Sequence, residues 1–396
     1  MQQQDFSASK SFWQQLLEGF KNPTPLLSAQ ASSQLQTEAG HDDAEVRLSN
    51  ELTTRLKCFA DQSQVTLNTI VQGAWGLLLS RYSGETDVVF GATRACRKST
   101  VAGAESMVGL LINTLPVRVK IDPEASLVPW LKALRSQHVA IRPHENTPLV
   151  AVQTWSEISG GASLFESIVM FETYDLNDRF QQGGWQNREI RLLEQPSFPI
   201  VLIACLGSAL TLKISYDRTR FDQAAVQRML GHLQTMLESM VADPSQKLTD
   251  LPLLTAAERH QLLSEWNDTA ADYAQDTCLH ELFEARAKQT PDAIAVVCGT
   301  HLTYRELNQQ ANQLAHHLKQ LGIGAGSFVG VYMNRGLEMI PALLGILKAG
   351  GAYIPLEPTF PNARVQWILE SLSVRCVVSQ PVHRSTFEKL QPQLPD

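Results

Sequence analysis

The first third of the chain carries apolar residues at helical spacing. Leu52, Leu56 and Phe59 stand three or four positions apart, and a denser apolar run follows them. This spacing predicts two helices over residues 52–82. Residues 115–121 instead alternate apolar side chains with proline or charged ones, which predicts a half-buried strand.

The rest of the first 245 residues predicts a mixed αβ domain. Apolar spacing indicates a helix from Leu127 and another over residues 222–240. Short runs rich in β-branched and aromatic residues predict four more strands, at residues 88–91, 164–171, 198–206 and 209–216. The sequence Asp243-Pro244-Ser245 is typical of a boundary, and we expect residues 243–278 to be exposed, with an inter-domain connector at 246–277.

The last third alternates between strand and helix. Thr303 and Glu306 have the spacing of a capping box, so a helix is predicted from about Tyr304. The elements predicted after it are a strand at 328–333, a helix at 337–349, a strand at 352–356, a helix at 365–372 and a strand at 374–379. This alternation predicts a doubly wound α/β subdomain, a parallel sheet with helices on both faces.

Composition narrows the class of protein. The 396 residues, of which 44% are hydrophobic and 18% charged, predict two or three globular domains. The net charge of −7 and the absence of a basic run give no sign of a nucleic-acid or membrane partner. Six scattered cysteines without metal-ligand spacing, and no secretory signal pattern, predict a cytoplasmic protein with reduced thiols and no metal site.

Two glycine-containing sequences have ordinary structural explanations. Gly322, Gly324 and Gly326 follow a predicted helix and precede a strand, the reverse of the order in a dinucleotide fingerprint, so we interpret them as a helix end and a turn. Gly350 follows another helix, where glycine supplies a positive φ, and Lys348 is expected to face the helix dipole. The sequence has no G-x-S-x-G, H-E-x-x-H or Walker motif.

The stretch VGLLINTLPVRV at residues 108–119 resembles a block in the condensation domain of non-ribosomal peptide synthetases. The matching residues are Gly109, Asn113, Thr114, Pro116 and Arg118, with Arg97 in the upstream FGATRACRK. Where the family usually has Gly-Arg-Pro, this chain has Cys96-Arg97-Lys98. The resemblance implies that residues 1–245 form the C-terminal, acceptor-side half of a condensation domain, a chloramphenicol-acetyltransferase-like lobe with a mixed αβ sandwich. Asn113 and Thr114 could serve catalysis or satisfy backbone groups in a turn.

LTYREL at residues 302–307 and LKAGGAYIPLE at 347–357 resemble the opening of an amino-acid adenylation domain, an AMP-binding domain of the ANL type. The matching residues are Leu302, Thr303, Tyr304, Glu306, Leu307, Lys348, Ala349, Gly350, Tyr353 and Pro355. The resemblance implies that residues 278–396 are the N-terminal part of that domain. We expect the chain to stop before its phosphate-binding loop.

The resemblance implies a role in secondary-metabolite biosynthesis. Condensation domains join a carrier-bound acyl group to a carrier-bound amine, and adenylation domains activate an amino acid with ATP and pass it to phosphopantetheine on a carrier protein. The whole synthetase would therefore use ATP, Mg²⁺ and carrier-bound phosphopantetheine. The expected partners are the upstream half of the condensation domain and peptidyl or aminoacyl carrier proteins.

No catalytic residue is assigned to this chain. The paired histidines His316-His317 lie in a predicted helix of the second domain, and Leu321 stands where the condensation signature H-H-x-x-x-D-G has its aspartate, so we reject that match. No counterpart of the adenylation phosphate loop is present, and the fragment alone is expected to bind no cofactor. Three hypotheses stay open: an incomplete piece of a synthetase, half of a split enzyme, or a non-catalytic module that docks carrier proteins.

Overall fold

The computed structural model describes residues 6–26, 40–96, 103, 106–158, 162–173, 196–273 and 275–385. Arg97, one of the predicted motif residues, lies outside these ranges. The chain divides into two compact units, Met1–Thr269 and Ala270–Asp396. The predicted bounds of the domains and of the connector remain predictions.

The first unit is built on six strands and seven helices within its described part. Its elements in chain order are α1 (Ser7–Leu17), β1 (His41–Arg47), α2 (Asn50–Gln62), α3 (Leu67–Ser83), β2 (Asp87–Ala95), β3 (Ile112–Lys120), α4 (Leu127–Ile141), α5 (Leu149–Trp155), β4 (Ser167–Glu172), β5 (Ile200–Leu206), β6 (Leu210–Asp217), α6 (Gln223–Ala242) and α7 (Ala256–Leu263). The strands and helices predicted from residue 52 to residue 240 are all present. We did not predict α1 or the charged edge strand β1.

All six strands form one mixed sheet. Their spatial order is β1-β6-β5-β4-β2-β3, in which β4 runs parallel to both of its neighbours and the other pairs are antiparallel. β2 and β3 pair over nine residues, so Thr93 lies opposite Thr114 and Arg94 lies opposite Asn113. Alternate residues of a strand point to opposite faces, and each of these pairs therefore lies on a different face of the sheet.

One face of the sheet, the helix-covered face, packs against α2, α3, α4 and α6. Phe90 of β2 and Trp75 of α3 are completely buried in this core. Three of these four helices begin at side-chain caps: Ser49, Thr66 and Asp222 accept hydrogen bonds from the first turns of α2, α3 and α6. This large core fixes the strands that carry the candidate site.

The other face, the partly covered face, packs against α1 at one end. Trp13 and Leu17 of α1 are buried with Val89 of β2. Gly91 follows on the same face, and a Cβ atom at this glycine would come 2.3 Å from a ring carbon of Phe165. Close packing at this end therefore requires glycine.

The start of the predicted connector is buried, contrary to expectation. Leu248 and Leu251 are 0% and 3% exposed and belong to the core of the first unit. Residues 259–273 are exposed, as predicted. The segment predicted as a connector therefore starts within the first core and becomes solvent-exposed in and after α7.

The second unit contains a parallel sheet and a separate hairpin. Its elements are α8 (Leu279–Gln289), β7 (Ile294–Cys298), β8 (Thr300–Thr303), α9 (Tyr304–Gln320), β9 (Phe328–Tyr332), α10 (Met339–Ala349), β10 (Ala352–Leu356), α11 (Asn362–Ser371) and β11 (Cys376–Ser379). The parallel strands have the order β10-β9-β11. α9 and α10 pack on one face and α11 on the other, which confirms the predicted winding.

Local signals in the second unit were read correctly. α9 begins at Tyr304 behind a capping box of Thr303 and Glu306. Gly350 ends α10 with φ of 90°, and Gly322 and Gly326 adopt φ of 82° and 80° after α9. No helix in the described part of the chain is long and apolar enough to cross a membrane.

Candidate functional site

A cavity of about 320 Å³ opens on the partly covered face of the first unit's sheet. Its floor is made of residues that alternate along β2 to β6, and its size is that of a small-ligand pocket. The lining residues are Asp43, Thr93, Ile112, Thr114, Ile168, Met170, Pro196, Ser197, Phe198, Val201, Ile203, Lys213 and Ser215. The walls combine branched apolar side chains with a few hydroxyl groups.

Thr114 is the predicted motif residue that reaches this cavity. It is half-buried on β3 and faces Thr93 across the strand pair. The two charged lining residues neutralise each other, because Lys213 Nζ donates to Asp43 Oδ2 at 3.0 Å. The cavity therefore offers hydroxyls and apolar contacts to a ligand but, among its lining residues, no histidine that could act as a general base.

Asn113, next along β3, points away from the cavity. Its Nδ2 donates to the backbone oxygens of Glu145 and Thr147 at 2.9 and 2.7 Å. The side chain thus satisfies two carbonyl groups of the loop that follows α4. Of the two alternatives for Asn113, the structure favours the backbone-satisfying one.

The buried side chain of Arg118 links β2 and β3 to α1. Its Nε and Nη2 donate to the two oxygens of Asp87 at 2.9 and 2.6 Å, and its Nη1 donates to the carbonyl oxygens of Leu16 and Glu18 at 3.0 and 2.8 Å. The hydrogen bond with Asp87 raises the pKa of the Arg118 guanidinium. These carbonyls lie at the C-terminal end of α1, where backbone acceptors lack partners within the helix. Arg118 therefore holds α1 on the partly covered face.

Gly109 lies in the exposed segment before β3. Its φ is 154°, a value that side-chain-bearing residues rarely adopt, and its neighbours Val108 and Leu110 are fully or almost fully exposed. The structure brings Thr114 to the cavity, whereas Arg118 is not among its lining residues. It does not bring Gly109 or Asn113 there.

Lys348 of the adenylation motif lies in the last turn of α10, as expected, and its ammonium is also held by three side chains. Its Nζ donates to Glu284 Oε1, Asn308 Oδ1 and Asn312 Oδ1 at 2.6, 2.6 and 2.7 Å, and its side chain is 4% exposed. The hydrogen bond from Lys348 lowers the pKa of Glu284. A buried ammonium needs all three donors satisfied, so Lys348 ties α10 to α8 and α9.

The other adenylation-motif residues are spread over α9, β10 and their flanks. Leu307 and Ala349 are buried, Leu302 and Tyr304 are half-buried, and Tyr353 and Pro355 are exposed on β10. The Tyr304 ring stacks on Phe283 at 5.9 Å between centroids. His316 and His317 are exposed on α9, as interpreted from the sequence.

A second polar cluster lies on the helix-covered face, behind the cavity. It contains Arg94, His138, Thr147, Cys96 and Glu145. Burial, together with the charges of Arg94 and Arg135, lowers the pKa of His138 to about 3, so its ring is neutral at pH 7. Burial also lowers the pKa of Arg94 and raises those of Cys96 and Glu145.

Sequence reasoning missed Asp87, Thr93, Arg94 and His138. Thr93 and Arg94 belong to the FGATRACRK stretch, but the partners that give them a role are distant in sequence. Strand alternation through β2 could have placed Thr93 beside Asp87 on one face and Arg94 on the other.

Two protein families match this chain. The condensation domain matches residues 1–263, and the AMP-binding enzyme family matches residues 283–396. The chain therefore belongs to the condensation-domain family and continues into the start of an AMP-binding domain, the order of domains in a non-ribosomal peptide synthetase.

Curated relatives are peptide antibiotic synthetases. A component of the linear gramicidin synthase of Brevibacillus parabrevis is 42% identical over 398 residues, which cover 100% of this chain and 8% of that protein. Bacitracin synthase 3 of Bacillus licheniformis is 36% identical over 386 residues, which cover 96% of this chain and 6% of that protein. The chain thus spans less than a tenth of the length of these relatives.

Solved structures share the fold. A four-domain non-ribosomal peptide synthetase bound to AMP and glycine matches with a TM-score of 0.75 at 22% identity, covering 100% of this chain and 30% of that one. The X-domain from teicoplanin biosynthesis matches with a TM-score of 0.52 at 18% identity, covering 64% of this chain and 58% of that one.

Proposed function

We propose that the first unit supplies the acceptor-side wall of a site in which a carrier-bound amine and a carrier-bound acyl group are joined as an amide. The cavity on the partly covered face carries this proposal. It is lined by Thr114 of the condensation motif and by apolar side chains that suit an acyl or aminoacyl chain. Its few hydroxyls can orient polar groups without adding charge.

The wall acts by positioning. Peptide-bond formation from a thioester needs the two reactants held together, and well-oriented intramolecular reactions reach effective molarities of roughly 10⁵ M or more. A wall on one side cannot enclose both. The histidine motif of the condensation family is not among these 396 residues, so the proton-handling group of this reaction would come from the upstream half of the domain.

The second unit contributes adenylation-domain structure, and the residues described do not form a site for the phosphates of ATP. Lys348, the cation of its motif, is fully engaged by Glu284, Asn308 and Asn312. Phosphoryl chemistry also needs a backbone cradle and a metal, and the sequence contains no phosphate loop. Amino-acid activation by the whole synthetase would therefore require residues beyond this set.

Reconstitution tests the proposal. The purified chain, two loaded carrier proteins and the polypeptide that carries the upstream condensation half should form amide product, and omission of the upstream half should abolish it. Thr114→Phe, which fills the cavity, should reduce product formation strongly, whereas Thr54→Phe on the exposed surface of α2 should not. Product formed without the upstream half would contradict the proposal. Carrier binding without product in the complete mixture would instead favour a non-catalytic docking module.

A second assay addresses the adenylation unit. The chain alone should not catalyse amino-acid-dependent exchange of pyrophosphate into ATP. Exchange above a blank without protein, for any common amino acid, would show that these residues hold ATP after all.

A further inference from the structure

The cavity on the partly covered face is lined by residues from all six strands of the first unit's sheet. The register between the strands places its floor residues in two rows that run across the sheet. In the first row Ile168 pairs with Val201, and Val201 pairs with Ser215. Asp43 of β1 follows Ser215. This row therefore crosses from β4 to β1.

The second row lies beside the first. Met170 pairs with Ile203, and Ile203 pairs with Lys213. Thr93 of β2 continues this row, because β2 and β4 pair in parallel two residues earlier on each strand. Thr114 of β3 lies opposite Thr93. The second row therefore crosses from β3 to β6, and the two rows together form a trough.

Two aromatic rings bound the trough. Phe165 closes the first row at β2, where its ring packs over Gly91. Phe198 lines the cavity and stacks on Phe165 with 5.5 Å between ring centroids. The carbonyl oxygen of Phe198 accepts a hydrogen bond from His41 Nε2 at 3.2 Å. Both rings are thus held in place, and the trough has a fixed width.

The chemistry of the trough changes along its length. At β2 and β3 it offers the hydroxyl groups of Thr93 and Thr114, and at β6 it ends at the ion pair of Lys213 with Asp43. The floor between these ends is apolar and consists of Ile168, Met170, Val201 and Ile203. A charged group over this floor would lose water without gaining a partner. A ligand that fills the trough therefore has a polar group at one end and an uncharged, apolar body.

We propose that the trough binds a peptidyl chain of up to about four apolar residues, which lies across the strands with its reacting carbonyl at the hydroxyls of Thr93 and Thr114. From Thr93 to Lys213 the trough crosses three strand spacings, about 14 Å, the length of about four extended residues. The identification of this cavity as a site for an acyl or aminoacyl chain rests on the proposed function.

The hydroxyl groups favour a peptide over a hydrocarbon chain. Ser197 and Ser215 add two more hydroxyls to the lining. A fatty acyl chain would leave these groups without partners, whereas a peptide backbone brings N–H and C=O groups along its whole length. Hydroxyls donate and accept, so they can serve either group of the peptide.

Methyl NMR on the full chain tests the proposal by binding alone. The probes are N-acetylated leucine peptide amides of one, two and three residues, added to protein with ¹³C-labelled methionine and isoleucine methyl groups. The signals of Met170, identified by its loss in Met170→Leu, and of Ile203 should shift in a saturable way. Affinity should rise by about fivefold or more per added residue, since each leucine buries further apolar surface. No saturable shift at Met170, or equal affinity for one and three residues, would overturn the proposal.

Two further probes show what the trough selects. The glutamate peptide amide of three residues has the same backbone and should bind about tenfold or more weakly than its leucine counterpart, because its carboxylates lie over the apolar floor. Octanamide should also bind more weakly than the leucine peptide, because it leaves hydroxyls unpaired. Equal or tighter binding of either probe would overturn the proposal.

A charge placed on the floor should change this preference. Met170→Lys, read out at the Ile203 methyl group, should weaken binding of the leucine peptide by about tenfold or more and strengthen binding of the glutamate peptide. Thr54→Lys, on the exposed surface of α2, should bind both peptides like the unaltered chain. Equal behaviour of the two variants would overturn the proposal. If Met170→Lys does not fold, the comparison of the two peptides on the unaltered chain decides the matter.

Amide formation and probe binding are independent measurements. Amide product in the reconstituted mixture, without saturable binding of the leucine peptide, would overturn the assignment of the trough and leave the proposed function in place. Saturable binding at Met170 without amide product would support the assignment of the trough and contradict the proposed function alone.

Discussion

The two units each bury one cation from a family motif, and they use it differently. In the first unit, the Arg118 guanidinium binds Asp87 with two nitrogens and two backbone carbonyls at the end of α1 with the third. In the second unit, the Lys348 ammonium binds three side-chain oxygens from α8 and α9. A planar guanidinium can serve a carboxylate and a helix end at once, whereas an ammonium is a compact point charge with three donors.

In both units the buried cation of the motif supports the local architecture. Arg118 fixes α1 against the sheet, and Lys348 fixes two helices around one end of α10. Neither cation is left free to meet a substrate. The two networks differ in which acceptors would lose their donor if the cation were removed. In the first unit these include backbone carbonyls at a helix end, and in the second unit they are side-chain oxygens.

The largest effect is expected from Arg118→Met. The change leaves Asp87 and the α1 carbonyls without their donor, and loss of one partner of a buried pair costs about 3–5 kcal/mol. Urea unfolding monitored by the fluorescence of Trp13 and the other tryptophans should show a loss of this size. Arg118→Lys should lose less, because the charge remains near Asp87. A loss below that of an exposed control such as Arg55→Met would contradict the role of Arg118.

Lys348→Met should destabilise the second unit by about 2–4 kcal/mol. This loss is smaller than for Arg118 because the two carboxylates are equally exposed, at 35% for Asp87 and 36% for Glu284, whereas Arg118→Met also leaves two backbone carbonyls without their donor. The stability of the second unit can be measured by hydrogen exchange in α8 and α9. Lys319→Met, an exposed lysine on α9, is the matched control and should have little effect. Equal effects of the two substitutions would show that Lys348 contributes no more to stability than a surface lysine does.

His138 should make the first unit sensitive to acid. Its pKa is about 3 in the folded chain and 6.5 in the unfolded chain, so the unfolded chain binds the proton more readily as the pH falls below 6.5. Stability is therefore lost between pH 6.5 and pH 3, by about 1.4 kcal/mol per unit at most. His138→Leu should lack this component, and its stability should fall by about 2 kcal/mol less between pH 6 and pH 4. If the free energy of unfolding depends on pH in the same way for His138→Leu and for the unaltered chain, His138 is not held neutral in the folded chain.

Asn113→Ala should cost about 1–2 kcal/mol through the loss of two hydrogen bonds to the loop after α4. The same substitution should loosen residues 145–147 in hydrogen exchange while leaving the cavity residue Thr114 in place. Thr114→Val, which removes a hydroxyl from the cavity, should change stability less. If Thr114→Val is the more destabilising of the two, the assignment of Asn113 to the loop is wrong.

Limited proteolysis requires no substitution, and it locates the boundary between the two units along the chain. First cuts are expected between residues 264 and 277, because Leu248 and Leu251 shield the earlier part of the connector. First cuts at residues 246–252, or within 88–121 or 328–356, would contradict this boundary.

Local chemistry explains which parts of the fold the sequence revealed. The helix start at Thr303 and Glu306 and the helix end at Gly350 depend on residues only three or four positions apart. Their spacing in the sequence is therefore enough to predict where these helices begin and end. β1 was missed because HDDAEVR is mostly charged, as suits an edge strand. Trp13, Leu17 and Phe20 have helical spacing in and after α1, and this signal could have predicted the helix.

Long-range pairing explains what the sequence did not reveal. Arg118 lies 102 and 100 positions from Leu16 and Glu18, and Lys348 lies 64 positions from Glu284. No periodicity connects residues so far apart. The cavity likewise depends on strands whose order in the sheet differs from their order in the chain.

Hydrogen exchange measured by mass spectrometry on Arg118→Met and Lys348→Met tests most directly the claim that these cations are ties within their own units. Arg118→Met should speed exchange in α1 and at the start of β2 and leave residues 279–320 unchanged. Lys348→Met should speed exchange in α8 and α9 and leave α1 unchanged. Unchanged exchange in α1 for Arg118→Met, or in α8 and α9 for Lys348→Met, would contradict the account.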